Sequence, residues 1–126
     1  MDDPIKRVAM TAKIYGIKNC DTMKKAFDWL KANGVDYDFH DYRAEGIDAD
    51  RVRDWSKRLG WEKVLNKAST TFKELPASEK ADLDEEKAIA LMVRAPTMIK
   101  RPVLETGDRI ANGFKPAIYE ELFSKG

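Results

Sequence analysis

The chain has little cysteine, little histidine and no long hydrophobic run. With one cysteine and one histidine in 126 residues, it cannot form an internal disulfide, and a zinc site built from its own side chains is not expected. No apolar run approaches the roughly 20 residues that cross a bilayer. The segment MDDPIKRVAM also lacks the apolar core of a signal peptide. We therefore expect a cytoplasmic protein without metal or membrane segments.

Charge of one sign is not in excess either. The 23 basic residues nearly balance the 22 acidic ones, which leaves a formal net charge of +1. A domain whose main task is to bind phosphate backbones carries a clear positive excess, so nucleic acid is not an expected partner. The length suits one ordinary core. We predict a monomer with an N-terminal extension at 1–10 and a single domain at 11–126.

The pattern of the first 41 residues predicts a strand, a helix and a second strand. The segment TAKIYGI (11–17) is typical of a buried strand. Apolar residues from Met23 to Leu30 then recur with helical spacing, and Gly34 is a natural stop. After it, VDYDFHDY alternates apolar and polar residues, as a half-buried strand does. Short connections make this a βαβ unit with parallel strands.

The rest of the chain predicts a helical block followed by two strands and a helix. Residues of about 47–95 carry helical patterns, interrupted by a polar loop at 67–71. Strands are predicted at 102–106 and 109–112 around a tight turn at Gly107, and a helix begins at Pro116. The order βαβ…ββα predicts an α/β, thioredoxin-like fold. It has a mixed four-stranded sheet and a helical insertion at about 47–95.

The only cysteine, Cys20, falls between the first predicted strand and the first helix. Unpaired N–H groups at a helix N-terminus carry partial positive charge, and they stabilise a thiolate. Ligands of open α/β sheets also bind beyond the carboxyl ends of the strands. A lone cysteine can equally be a small buried hydrophobe. The position favours the thiolate, and both interpretations remain open at this point.

A reactive thiolate needs cations around it, and two segments can supply them. Arg101 and Lys115 both lie where a predicted element ends beside the sheet. Arg101 directly precedes Pro102 at the start of a strand. In thioredoxin-like folds a cis proline at this place exposes backbone that receives the thiol substrate. Pro102 is therefore the proline that we assign to the site.

Four motifs in order resemble the arsenate reductase-related ArsC/Spx/YffB-type family. They are YGIKNCDTMKKAFDWL, LNKASTTFKEL, IKRPVLE and GFKPAIYEEL. The resemblance runs from about Thr11 to Phe123 and is nearest to the YffB-like branch. It implies a thioredoxin-like fold with a helical insertion. It also implies a thiol reductase with no bound cofactor, which uses glutathione as co-substrate and glutaredoxin as a further partner.

The resemblance also assigns roles to residues of this sequence. Cys20 matches the nucleophile of the family. Glutathione-linked arsenate reductases surround the oxyanion with three arginines, and only Arg101 keeps that identity here. Asn66 and Lys115 stand at the other two positions, and a lysine lacks the bidentate geometry of arginine. We therefore expect Cys20 and Arg101 to be catalytic, and Asn66, Pro102 and Lys115 to bind substrate.

The expected function is a glutathione-dependent thiol reductase that acts on arsenate-like oxyanions or on mixed disulfides. The alternative is a transcription-linked regulator of the Spx type, which is not an enzyme. Such regulators commonly carry a C-x-x-C switch, but here Met23 stands at the second position. A disulfide between positions 20 and 23 is therefore impossible, which argues against that role. A second sulfur must come from outside the chain.

Overall fold

The N-terminal βαβ unit is present. The computed structural model describes residues 11–18 and 20–123. Strand β1 (Thr11–Gly16) leads to helix α1 (Asp21–Ala32) and then to strand β2 (Asp36–Asp41). The two strands run parallel, and Ile14 lies opposite Phe39. The alternation in the sequence of β2 therefore indicated both its type and its approximate bounds.

Two further strands complete the sheet. Strands β3 (Val103–Thr106) and β4 (Arg109–Asn112) form an antiparallel hairpin, in which Gly107 adopts a φ of +59°. Strand β3 also pairs antiparallel with β1, so the strand order is β2-β1-β3-β4. The predicted mixed four-stranded sheet of a thioredoxin-like fold is confirmed.

Helix α1 and the C-terminal helix cover one face of the sheet. The C-terminal helix spans Pro116–Phe123 and is the last of eight α-helices in the described chain. Phe27 of α1 contacts the rings of Tyr37 and Phe39 on β2, with centroids 5.3 and 5.1 Å away. Trp29 contacts Tyr119 edge to face at 5.5 Å. The buried core between these elements consists of Ala12, Ile14, Met23, Ala26, Leu30, Val35, Leu104 and Tyr119.

A second compact unit lies between β2 and β3 in the sequence. It spans Tyr42–Lys100. Its elements are helices α2 (Tyr42–Glu45), α3 (Ala49–Leu59), α4 (Trp61–Val64), α5 (Thr70–Lys73), α6 (Ala77–Lys80) and α7 (Glu85–Arg94), followed by a 3₁₀ turn (Pro96–Met98). Its buried residues include Val52, Trp55, Ile89 and Met92.

This helical unit is wider than the insertion predicted at about 47–95. It takes in the short helix α2 at one end and the 3₁₀ turn at the other, which contact each other. The hydroxyl of Tyr42 donates to the carbonyl of Ile99 at 3.4 Å. Long-range contacts of this kind leave no periodic signal in the sequence. The predicted extension at 1–10 lies outside the described residues.

Side-chain caps begin three of these helices. The carboxylates of Asp48 and Asp84 accept backbone N–H groups at the starts of α3 and α7, and the hydroxyl of Ser69 accepts the N–H of Phe72. Ser69 therefore begins α5, and the prediction of a polar loop at 67–71 was wrong for its last two residues. A helix of four residues is too short to show a hydrophobic period, and only its cap could have indicated it.

No helix among the described residues is both long and apolar enough to cross a membrane.

Arg109 holds the end of the C-terminal helix α8 (Pro116–Phe123). Its Nη1 donates to the carbonyls of Glu121 and Leu122 at 2.9 and 3.1 Å. Carbonyls in the last turn of a helix commonly accept from groups outside the helix, and a cation suits the negative end of the helix dipole. We expect Arg109→Ala to lower the free energy of unfolding by about 1–2 kcal/mol. Urea denaturation followed by circular dichroism measures this.

The matched control is Lys24→Ala, in the same compact unit. Among the described residues, the side chain of Lys24 makes one exposed ion pair, with Asp28 at 3.9 Å, so its loss should cost less than about 1 kcal/mol. Equal losses in the two variants would show that Arg109 does not anchor the helix.

Candidate thiol site

The sheet topology brings three segments to one end of the sheet. Strand β1 ends at Gly16, and Val103 at the start of β3 pairs with its neighbour Tyr15. Asn112 at the end of β4 in turn lies opposite Val103. The chain following β1, the chain preceding β3 and the chain following β4 therefore share this end. These segments carry Cys20, Arg101 with Pro102, and Lys115, so four of the five predicted site residues lie there.

Cys20 is the N-cap residue of α1. Its backbone is extended, with φ −121° and ψ 130°, and its carbonyl accepts the N–H of Lys24 at 2.9 Å. The side chain is half-buried and packs against the core of the sheet unit. An extended residue directly before a helix places its side chain beside the unpaired N–H groups of the first turn. The thiol is thus next to the positive end of the helix dipole.

Several groups set the pKa of the Cys20 thiol. Burial is the largest single influence and raises the pKa. The N–H of Met23, the guanidinium of Arg101 and the N–H of Thr22 act against it, and the net result is a pKa below the ordinary value. The Cys20 side chain makes no capping hydrogen bond. We therefore attribute the lowering of the pKa by the backbone to the partial positive charge of the helix N-terminus.

Among the described side chains, that of Arg101 acts on the sulfur. It contributes both as a hydrogen-bond donor and as a positive charge. The peptide bond between Arg101 and Pro102 is cis. Pro102 is buried, and its carbonyl accepts the N–H of Gly113 at 2.9 Å. This bond links the segment before β3 to the segment after β4.

Met23 occupies the position of a second thiol in a C-x-x-C motif. Its side chain is buried, with 1% of its surface exposed. A Cβ atom on Gly16 would overlap the Sδ and Cε atoms of Met23, so the end of the Met23 side chain packs directly against the backbone of position 16. Met23 thus replaces a possible sulfur partner with a packing contact between β1 and α1.

Lys115 is exposed and precedes helix α8. Its carbonyl accepts the N–H groups of Ile118 and Tyr119 at 3.0 and 3.2 Å, so its backbone begins the helix. The main groups that determine the pKa of Cys20 do not include Lys115. Its side chain therefore has no marked effect on the thiol itself, although it lies at the same end of the sheet.

Asn66 lies in the helical unit. Its side-chain oxygen accepts the N–H of Ala68 at 3.0 Å, and its backbone N–H donates to the carbonyl of Met98 at 2.7 Å. An asparagine that bonds to backbone two residues on forms a local turn. This turn leads to Ser69, the cap of α5. Asn66 therefore has a structural task of its own, and a role in substrate binding remains a prediction.

The sequence predicted backbone N–H groups beside the thiol, but it did not identify which residues supply them. The N–H groups of Thr22 and Met23 act on the thiol, but they are the same whatever side chains these residues carry. The only indication was the position of Cys20 at the start of a helical pattern. In the described part of the chain, no group of three or more His, Cys, Asp or Glu residues could hold a metal ion.

A single cysteine at the N-cap of the first helix, an arginine that acts on it and a cis proline before β3 define a thioredoxin-like protein with a one-thiol site. The sequence matches the ArsC family over residues 15–122. The chain belongs to the ArsC family, as its motifs indicated, and it has the fold of arsenate reductases.

Individual relatives support this assignment. A solved structure named YFFB (PA3664) protein is 56% identical, with a TM-score of 0.87, over 90% of this chain and 99% of that one. An arsenate reductase (ArsC) related protein from Brucella melitensis is 50% identical, with a TM-score of 0.72, over 91% and 96% of the two chains. An uncharacterized protein of Haemophilus influenzae is 37% identical over 88% of this chain and 97% of its own length.

The influence of Arg101 on the thiol can be measured directly. Because the thiolate is the reacting form, the rate of alkylation by iodoacetamide should rise with pH to a plateau. The midpoint of that rise gives the pKa of the thiol, and we expect it below the ordinary cysteine value of about 8.5. Arg101→Ala removes a charge and a donor that favour the thiolate. We expect its midpoint to move up and its alkylation rate at pH 7 to fall.

Arg101→Lys keeps the charge without the planar fork, so its midpoint should lie between those of the wild type and Arg101→Ala. Lys115→Ala is the control and should leave the midpoint in place. An unchanged midpoint in Arg101→Ala would refute the assigned role of Arg101.

Proposed function

We propose that the protein is a glutathione-dependent thiol reductase whose nucleophile is the Cys20 thiolate. One observation carries the proposal: the only thiol in the chain lies at a helix N-terminus, where backbone N–H groups and Arg101 lower its pKa. A buried structural cysteine gains nothing from such surroundings, whereas a nucleophile depends on them. Membership of the ArsC family supports an oxidoreductase.

With a mixed disulfide of glutathione, the reaction has two exchange steps. The Cys20 thiolate attacks the glutathione sulfur, a Cys20–glutathione disulfide forms, and the substrate leaves as a thiolate. A second glutathione thiolate then attacks that disulfide, which releases oxidised glutathione and restores Cys20. The chain has no other cysteine, so the second sulfur must be external. We assign this step to glutathione, with glutaredoxin as a further partner.

With arsenate, the thiolate forms a sulfur–arsenic bond and water leaves. A glutathione thiolate then attacks the Cys20 sulfur, a Cys20–glutathione disulfide forms and the sulfur–arsenic bond breaks. The electron pair of that bond stays on arsenic, which is reduced from the pentavalent to the trivalent state. Arsenite leaves, and a second glutathione resolves the Cys20–glutathione disulfide. Arg101 would stabilise the negative charge that develops on the oxyanion, a contribution commonly worth a few kcal/mol.

The cations at the site favour mixed disulfides over arsenate as the substrate. Of the three arginines that the family places around the oxyanion, only Arg101 is present. Lys115 offers a point charge in place of a planar fork, and Asn66 carries no charge at all. A disulfide needs less anion stabilisation than an oxyanion. Pro102 would present the backbone on which the thiol substrate docks.

We place this activity in the cytoplasm, where glutathione keeps thiols reduced. The protein would act there as a monomer with no bound cofactor. Its partners would be glutathione, glutaredoxin and the substrate, and neither nucleic acid nor a membrane would take part.

Replacement of the nucleophile tests the proposal. Turnover is measured with the mixed disulfide of glutathione and 2-mercaptoethanol, coupled to NADPH through glutathione reductase. Cys20→Ser should fall to the uncatalysed rate because an alcohol at neutral pH cannot replace the thiolate. Lys25→Ala, on the exposed side of the same helix, should keep the wild-type rate.

Full turnover by Cys20→Ser would contradict the proposal. Capture of RNA polymerase subunits by a wild-type protein without thiol turnover would instead favour the regulator.

The identity of residue 115 tests the preference for disulfides. In the same coupled assay, we expect the wild type to use the mixed disulfide faster than sodium arsenate. Lys115→Arg restores a planar cation that can bind two oxyanion oxygens at once. We expect it to raise the arsenate-dependent rate severalfold and to change the disulfide rate little. An arsenate rate that already exceeds the disulfide rate in the wild type would contradict this preference.

A further inference from the structure

One backbone hydrogen bond holds the segment that carries Arg101. The N–H of Gly113, directly after β4, donates to the carbonyl of Pro102, directly before β3, at 2.9 Å. The two residues extend the antiparallel pairing of Val103 with Asn112 by one position. Directly opposed residues of such a ladder can exchange two backbone bonds, but a proline has no N–H. This pair can therefore form no backbone bond other than the one that Gly113 donates.

The connection between this bond and Arg101 is short and stiff. Arg101 directly precedes Pro102. The pyrrolidine ring fixes the φ angle of Pro102 at about −65°, and the residue before a proline is confined to extended backbone. Few rotations are therefore left between the Pro102 carbonyl and the Cα atom of Arg101. A bond that fixes the carbonyl also fixes the direction in which the Arg101 side chain leaves the backbone.

The effect of Arg101 on the thiol depends on that direction. Its guanidinium acts on the Cys20 sulfur as a hydrogen-bond donor as well as a positive charge. A hydrogen bond weakens steeply when its geometry is disturbed, whereas the interaction with a charge falls only gradually with distance. A small displacement of the Arg101 backbone would therefore remove the hydrogen bond first and leave much of the charge effect.

Gly113 donates its hydrogen bond from a backbone conformation that favours glycine. Its φ is +76°. Glycine adopts this region freely and asparagine tolerates it, but a β-branched residue there is an outlier. A side chain such as that of valine would force φ out of this region, and the neighbouring torsions that aim the N–H would have to compensate. The bond to Pro102 therefore depends on the glycine.

We propose that Gly113 is a positioning residue of the thiol site: its N–H holds the carbonyl of Pro102 and thereby aims the guanidinium of Arg101 at the sulfur of Cys20. Gly113 itself acts only through Arg101. The role concerns the acidity of the thiol, which is the same whatever molecule the thiolate attacks. It therefore goes beyond the proposed function and does not rest on it.

A series of variants at position 113 tests the proposal. Asparagine, alanine and valine are increasingly unsuited to a positive φ. We expect the midpoint of iodoacetamide alkylation against pH to rise in the order Gly113→Asn, Gly113→Ala, Gly113→Val, because the thiolate progressively loses the donor of Arg101. The rise in Gly113→Val should not exceed that in Arg101→Ala, since Gly113 acts only through that side chain.

Gly107→Val is the matched control. Gly107 lies at the other end of β4 and also has a positive φ, of +59°. It is exposed, and a Cβ atom there would meet nothing within 4 Å. The substitution therefore strains the same hairpin without disturbing the bond to Pro102, and we expect the wild-type midpoint. Circular dichroism and urea denaturation check that the variants fold. If Gly113→Val does not fold, the milder Gly113→Ala takes its place.

A double variant shows whether Gly113 acts through Arg101. In Arg101→Ala there is no guanidinium to aim, so the addition of Gly113→Val should leave the midpoint where Arg101→Ala alone puts it. At a pH above all midpoints the thiol is ionised in every variant, and the alkylation rates should converge on that of the wild type. A structural defect that obstructed the thiol would instead lower this plateau.

Three results would overturn the inference. They are a wild-type midpoint in folded Gly113→Val, an equal rise in Gly107→Val, and a further rise when Gly113→Val is added to Arg101→Ala. Alkylation needs no substrate, so these results are independent of turnover. The expected order of midpoints without turnover of any disulfide would refute the proposed function and support the role of Gly113. Turnover by a protein whose midpoint ignores position 113 would do the reverse.

Discussion

The candidate site depends on the pairing of β1 with its neighbours in the sheet. β1 is a central strand, parallel to β2 on one side and antiparallel to β3 on the other. Because β3 runs in the opposite direction, its first residue lies beside the last residues of β1. Cys20 and Arg101, which are 81 positions apart in the sequence, therefore interact. A shift of this register by one residue would turn the side chains of β3 to the opposite face of the sheet and move Arg101 relative to the thiol.

Much of this arrangement could be predicted because it depends on local patterns of apolar and polar residues in the sequence. The apolar stripe from Met23 to Leu30 indicated α1, and the alternation after Val35 indicated β2. Their order, with a ββα unit at the other end of the chain, indicated the fold. The motifs indicated the family. These features share a physical basis: each segment has one buried side, and burial imposes a period on the sequence.

The remaining features result from contacts that have no period. The short helix α5 begins at a capping hydroxyl, that of Ser69, and the helical unit extends to Tyr42 and Ile99, which a long-range hydrogen bond joins. The cis peptide before Pro102 belongs to a segment held by Gly113. The use of the Asn66 side chain in a turn was equally invisible, because asparagine can accept or donate, and only the folded backbone shows which.

Burial raises the pKa of Cys20, and two backbone N–H groups and one guanidinium lower it over short distances. The other basic and acidic residues of the surface have a much weaker effect on the thiol, because water and salt screen exposed charges. The reactivity of the thiol and the charge of the surrounding surface are therefore separable properties. Changes to exposed side chains can alter which molecules approach the site without altering the acidity of its sulfur. A protein built in this way can acquire a new substrate by changing its surface alone.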